Sequence, residues 1–161
     1  MPSDYYLLIA GVNGETQAQG MTNNIELESW SWGASNPCSL SGKGLAAGKP
    51  SLSDLTVSFG LEAASFAIVK DLVTGAHVAS ATFTGRKTGG GATPYNYLVI
   101  TLTNCFITSF STGGGSTGTP SASLSIAYEK IQYQYYTQDT AKGSVTLAGQ
   151  ATYDIKQVQQ T

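Results

Sequence analysis

The run from Ala122 to Tyr136 restricts what this chain can fold into more than any other segment. Its apolar side chains first take even positions, Leu124, Ile126 and Tyr128, and then odd ones, Ile131, Tyr133 and Tyr135. Period-two alternation marks a strand with one buried face, and an offset of one residue turns every later side chain over. A flat sheet with a single core cannot hold such a run. Asn24 to Trp32 behaves alike on a shorter scale: Ile25 and Leu27 mark one face, Trp30 and Trp32 the other, with the switch near Glu28. Either a bulge or bend lets one long strand serve two parts of a barrel or two packed sheets, or a neighbouring subunit covers the second face. The first cause suffices alone, so the reading is a curled, barrel-like sheet.

The rest of the chain fits that frame. Tyr5 to Val12 is a strand-length apolar run that ends in the turn pair Asn13-Gly14, and Leu55, Val57, Phe59 and Leu61 alternate with small or polar residues. Strands are expected over His77 to Lys87, with a turn from Thr88 to Thr93, then over Tyr95 to Phe110, and finally near Ser144 to Leu147 and Ala151 to Ile155. A single helix is expected from about Glu62 to Thr74, laying Phe66, Val69, Leu72 and Val73 on the sheet and stopping at Gly75. The glycine-rich stretches Ser39 to Pro50 and Ser111 to Ser121 read as loops. The predicted fold class is therefore mainly β: a small β-barrel of two packed antiparallel sheets with one short flanking α-helix, in a single domain over residues 1–161.

Charge narrows the function classes. Only 11% of residues are charged, against about 25% in an ordinary soluble domain, which suggests that partners cover much of the surface. A net charge of −2 and eight scattered Lys and Arg residues provide no basic patch for nucleic acid. Met1 to Val12 carries Asp4 and no basic segment ahead of its apolar run, so synthesis without a secretory signal peptide is expected, and the run is too short to span a membrane. Cys38 and Cys105 stand far apart in no metal-ligand spacing.

Candidate chemistry is thin. Gly113 to Gly118 fits both a nucleophile-elbow and a dinucleotide-loop pattern, but either must lead into a helix, and here Pro120 and a strand follow. His77 is the single histidine, too few for a histidine metal cluster. Glu26 and Glu28 read as the exposed side of their strand rather than an acid pair. No catalytic, cofactor or metal residue is assigned. Trp30 and Trp32 could stack a sugar in a secreted or cytoplasmic carbohydrate-binding β domain, or anchor a core or subunit contact. The second reading is preferred.

A series of motifs in order resembles the haemolysin-coregulated (Hcp) family, the tube protein of type VI secretion. They are Tyr5-Tyr6-Leu7-Leu8-Ile9-Ala10-Gly11-Val12 with Gly14-Glu15, Glu28-Ser29-Trp30-Ser31-Trp32-Gly33, the loop ending Gly48-Lys49, and the Asp54-Leu55 strand. Arg86-Lys87-Thr88-Gly89-Gly90, Tyr97-Leu98-Val99-Ile100-Thr101-Leu102, and Ser125-Ile126-Ala127-Tyr128-Glu129-Lys130-Ile131 with Tyr135 and Gln138 complete the set. The resemblance implies a six-membered ring of identical subunits, stacked into a tube driven out by a contractile sheath. Its partners would be other copies of itself, the sheath, the tip (spike) protein and effectors in the lumen. It would be made in the bacterial cytoplasm and secreted through the machine to the extracellular space or a target cell, without a cofactor or membrane insertion. Within that picture, the first glycine loop, with Leu40, Gly42, Gly44, Leu45, Gly48 and Lys49, is expected to make subunit or ring contacts.

Overall fold

The computed structural model of the chain describes residues 3–42, 44–88, 94–139, 144–155 and 159–160. In chain order the elements are β1 (Ser3–Ile9), β2 (Ile25–Leu27), β3 (Ser29–Ser31), β4 (Ala34–Ser35), β5 (Cys38–Ser41), β6 (Gly44–Ala47), β7 (Ser51–Leu52) and β8 (Leu55–Gly60). There follow α1 (Ala64–Thr74), β9 (His77–Thr88), β10 (Pro94–Gly113), β11 (Ser121–Gln138), β12 (Val145–Asp154) and β13 (Gln159–Gln160). The expected turn after Thr88 lies outside the described residues, as do Gly89 and Gly90 of the resemblance. The two short strands expected near the end are one, β12.

One antiparallel sheet curls until it nearly closes. From β1 it runs through β9 and β10 to β11, whose far edge is shared: Ser121 to Ile126 pairs with β8, and Lys130 to Gln138 with β12. β8 pairs with β3, and β2 pairs with β1. The segment from Ile25 to Ser31 thus passes from one wall of the barrel to the other. At the crossing the Glu28 N–H donates to the Ser58 carbonyl at 2.7 Å. The two packed layers expected from the sequence are opposite walls of this one sheet. Between them lies a contiguous core that includes Leu7, Ile25, Leu55, Val57, Phe59, Phe83, Ile100, Leu102, Leu124 and Ile126.

The face switches are bends of the barrel. On β10 the buried side chains are Leu98, Ile100 and Leu102, then Cys105 and Ile107; on β11 they are Leu124, Ile126 and Tyr128, then Ile131; on β9, Val78, then Ala81 and Phe83. The residues that break alternation, Ala79, Asn104 and Glu129, fall in one row across the three strands. On either side of that row Thr103 faces Lys130 and Cys105 faces Tyr128 in unchanged register, so no residue is inserted. All three strands turn over together. Asn104 has φ +54°, a left-handed conformation that asparagine tolerates better than most residues, and its Nδ2 donates to Glu129 Oε2 at 2.8 Å.

Helix α1 ends where expected: Gly75 adopts φ +68° and its N–H reaches the Asp71 and Leu72 carbonyls. Its buried face differs from the expected one. Ala64, Ser65 and Ile68 are buried and Ala67 and Leu72 pack against the core, whereas Phe66, Val69 and Val73 point outward. The apolar arc of the helix is wide, with Lys70, Asp71 and Thr74 on the remaining side, and its smaller side chains lie closest to the sheet. Its first turn has no local side-chain cap. Instead Glu15, far off in sequence, accepts the Ala63 N–H at 3.3 Å, and Glu62 accepts the Glu15 N–H at 3.2 Å.

Candidate functional site

The glycine loop from Ser39 to Pro50 is not irregular. It is the outer part of a two-stranded arm. Gly33 and Ser53 exchange backbone and hydroxyl hydrogen bonds at the root, Ala34 and Ser35 then face Leu52 and Ser51, and Cys38 to Ser41 pairs with Gly44 to Ala47. Between these ladders the Gly48 N–H donates to the Pro37 carbonyl at 2.7 Å and to Asn36 Oδ1 at 2.9 Å. A Cβ on Gly48 would lie 2.8 Å from both Pro37 Cγ and its carbonyl oxygen, so glycine is required there. Leu40 and Leu45 are direct cross-strand partners near the tip, and both are solvent-exposed, at 80% and 75%. Gly42, Gly44, Gly48 and Lys49 are exposed beside them. The sequence-derived interface candidates therefore come together on one arm; Lys43 lies outside the described residues.

The tryptophans brace the root of this arm. Trp30 packs at 4.6 Å between ring centres against Phe83 and at 5.9 Å against Tyr5. Trp32 Nε1 donates to Tyr128 Oη at 2.6 Å, and that hydroxyl donates in turn to the Ser53 carbonyl at 2.8 Å. Burial raises the Tyr128 phenol pKa, partly offset by the Trp32 bond. Both indoles are half-buried and packed against the core. Trp32 also lines a cavity of about 280 Å³ with Leu52, Tyr133 and Tyr153.

A second apolar surface was not anticipated from sequence. Phe66, 84% exposed, together with Val69, Val73, Leu61 and Phe110, lines a groove of about 880 Å³ along the outer side of α1. At its N-terminal end the groove meets a cleft bordered by Glu15, Glu26, Glu28 and Glu62. Burial raises the Glu62 carboxyl pKa, and the charges of Glu15 and Glu26 add to the rise while the Glu15 N–H opposes it. The signal for the groove existed in the sequence, since an amphipathic helix has no need of a second apolar stripe.

A third surface is the ribbon of β11 and β12. From Val145 to Ala151 every residue of β12 is exposed, including Val145 and Leu147. Among the described residues, the edge of this stretch away from β11 pairs with no strand; β13 joins only at Tyr153 and Asp154.

The suspected chemical groups are not assembled. His77 is exposed and its ring lies 5.8 Å from that of Phe106; Glu26 and Glu28 are both exposed. Cys105 is buried, which pushes its thiol up to about 11, and Cys38 is exposed; neither is in a disulfide. Among the described residues no group of three or more His, Cys, Asp and Glu side chains could hold a metal ion. Also among them, no helix is long and apolar enough to cross a membrane.

Solved structures share this architecture. A structure described as a type six secretion system protein superposes with a TM-score of 0.90 at 22% identity, covering 99% of this chain and 100% of that one. Hcp1 from Salmonella typhimurium gives 0.80 at 24% identity with complete coverage of both chains. A type VI secretion system effector from Yersinia pestis gives 0.75 at 24%, covering 94% and 99%. No curated protein sequence matches. The model of the family described as "Type VI secretion system effector, Hcp" matches residues 6–135. That match runs from the first strand of the barrel, through the arm and α1, to the exposed part of β11, and on it this chain belongs to the Hcp family of type VI secretion.

Proposed function

We propose that this protein is the structural tube subunit of a type VI secretion system: it assembles into hexameric rings that stack into the inner tube, carries effectors in the lumen, and leaves the cell with them. Contractile sheath and tip (spike) proteins are its partners, and it works by assembly rather than catalysis. The observation that carries this reading is the arm, whose two leucines stand almost fully in solvent. An isolated two-stranded hairpin is marginally stable in water, and large apolar side chains exposed on a built element mark an interaction surface. Membership of the Hcp family supports self-assembly as that interaction. The low charge has the same cause, because a cyclic assembly uses different patches on each subunit and consumes much of its surface.

The test is the solution mass and the image of the purified chain. A ring of six 16.7 kDa subunits has a mass of about 100 kDa and should appear in electron micrographs as an annulus with a central pore. Removing Gly42 to Ala47 should abolish tube formation while leaving the barrel folded. A chain that stays monomeric at high concentration, or a deletion variant that still stacks, counts against the assembly role.

A further inference from the structure

Two exposed apolar features face different directions on one protomer, a convex leucine pair on the arm and a concave groove along α1. We propose that they are the two halves of one contact: the Leu40–Leu45 tip of the arm seats in the Phe66–Val69–Val73 groove of a neighbouring copy, with Lys49 toward the Glu15–Glu62 end. The contact deepens the assembly reading and rests on it.

The topology rules out the same contact within one chain. β3 advances from Ser29 opposite Ser58 to Ser31 opposite Thr56, and β8 lies on β11 with Thr56 opposite Ser125 and Gly60 opposite Ser121. The arm continues from β3 in that direction and leaves the barrel beside Tyr133, where Trp32 packs. Helix α1 follows Gly60 at the other end, beside Phe110, which pairs with Leu124. Leu124 and Tyr133 are about 30 Å apart along β11 at strand rise. The arm points away from its own groove, so the contact proposed is with the groove of a second copy. A contact between opposite ends of identical subunits is heterologous, the kind that closes rings or extends filaments.

Size and charge agree. Leu45 and Lys49 are about 13 Å apart along an extended chain, and the helix from Ala63 to Val73 is about 15 Å long. An arm lying along α1 with its leucines beside Val69 and Val73 therefore brings Lys49 to the acidic end. There Glu15, Glu26, Glu28 and Glu62 border the cleft, and among the described residues lining it none is a cation. Lys70 is the cation that lines the groove itself. Lys49 is exposed on the arm and meets a carboxylate cluster that needs a positive partner.

Cysteine variants in a Cys38→Ser background, which leaves only the buried Cys105 as a native thiol, test this. Leu45→Cys and Phe66→Cys are placed on separate chains, as are Leu45→Cys and Val73→Cys, with Leu45→Cys and Leu147→Cys as the control pair. All four positions are exposed, so thermal melts should match the parent and confirm folding. On oxidation of mixed rings, a disulfide dimer should form in at least one groove pair, about 100-fold faster than in either variant alone because the thiols are held together. The control pair should form none. Rings that assemble without any disulfide between Leu45→Cys and the groove, or with one to Leu147→Cys instead, overturn this contact and leave the ring standing. A parent chain that never forms rings overturns both.

Discussion

The barrel and the arm are built by the same local rule, strand pairing, and end in opposite states. In β8 each inward residue, Leu55, Val57 and Phe59, is almost wholly buried. In the arm Leu40 and Leu45 pair across a ladder just as regular and remain in water. β11 shows both states in a single strand: Ala122 to Tyr128 alternates buried and half-buried, while Tyr133 to Gln138 has no buried residue. Hydrogen bonding gives each part its shape, but burial stabilises only the barrel within one subunit. The exposed parts are therefore surfaces that assembly can complete.

The largest effect expected from that contrast is on the core. Phe83→Ala should destabilise the protomer by about 3–5 kcal/mol, the usual cost of deleting a buried aromatic ring, and should also remove the support under Trp30. Leu45→Ala deletes a similar apolar group from the arm, yet it should change protomer stability by no more than about 0.5 kcal/mol while moving ring formation to higher protein concentration. Denaturant melts at concentrations below assembly, paired with sedimentation above it, separate the two. Equal loss of stability in both variants would break the comparison.

Where barrel and arm meet, the expected effect is intermediate. Tyr128→Phe removes the hydroxyl that accepts from Trp32 and donates to the Ser53 carbonyl. It leaves both partners short of a hydrogen bond at a half-buried site, at a cost of about 1–3 kcal/mol. Because Ser53 also ladders with Gly33, the arm should lose order too, seen as faster amide exchange from Gly33 to Ser53. An arm left unchanged in exchange would mean that the Tyr128 hydroxyl supports only the barrel.

Much of this division was legible in the sequence. The parity changes at Glu28 and within the Ala122 to Tyr136 run announced a curled sheet, because alternation reports which side faces the core. The two leucines in a polar loop marked the arm as a candidate contact element. Its ladder was not legible: four glycines over Gly33 to Gly48 mask strand propensity, and pairing depends on partners such as Pro37 and Gly48 meeting in space. The helix misled for a related reason. Phe66, Val69, Leu72 and Val73 are spaced to share a face, but Ala64 and Ile68 fit closer to the sheet, so the larger side chains were left outside. Pattern alone cannot rank two apolar stripes on one helix.

Asn104 tests the row at which three strands turn over. A β-branched residue strongly disfavours positive φ, so Asn104→Val should cost about 1–3 kcal/mol, while Asn104→Gly should retain the turn and lose only the bond to Glu129. Urea melts distinguish the two. If valine were tolerated as well as glycine, the left-handed residue would not be what turns the strand.

The smallest effect concerns Glu62, at the junction of groove and acidic cleft. Burial, reinforced by the charges of Glu15 and Glu26 and opposed by the Glu15 N–H, raises its carboxyl pKa above the ordinary glutamate value; Lys70 lines the adjoining groove. A folded-state pKa raised in this way means that the native protomer holds the proton more tightly than the unfolded chain. Its stability then falls as pH rises from the ordinary value through the raised one. Glu62→Gln keeps an acceptor for the Glu15 N–H and removes the charge, so the protomer should gain slightly at neutral pH and lose that slope. In assembled rings the neighbour's Lys49 would supply the missing cation, and the slope should shrink in the parent protein as well. A parent that keeps the same pH slope as monomer and as ring would place Lys49 elsewhere, and with it the tip of the arm.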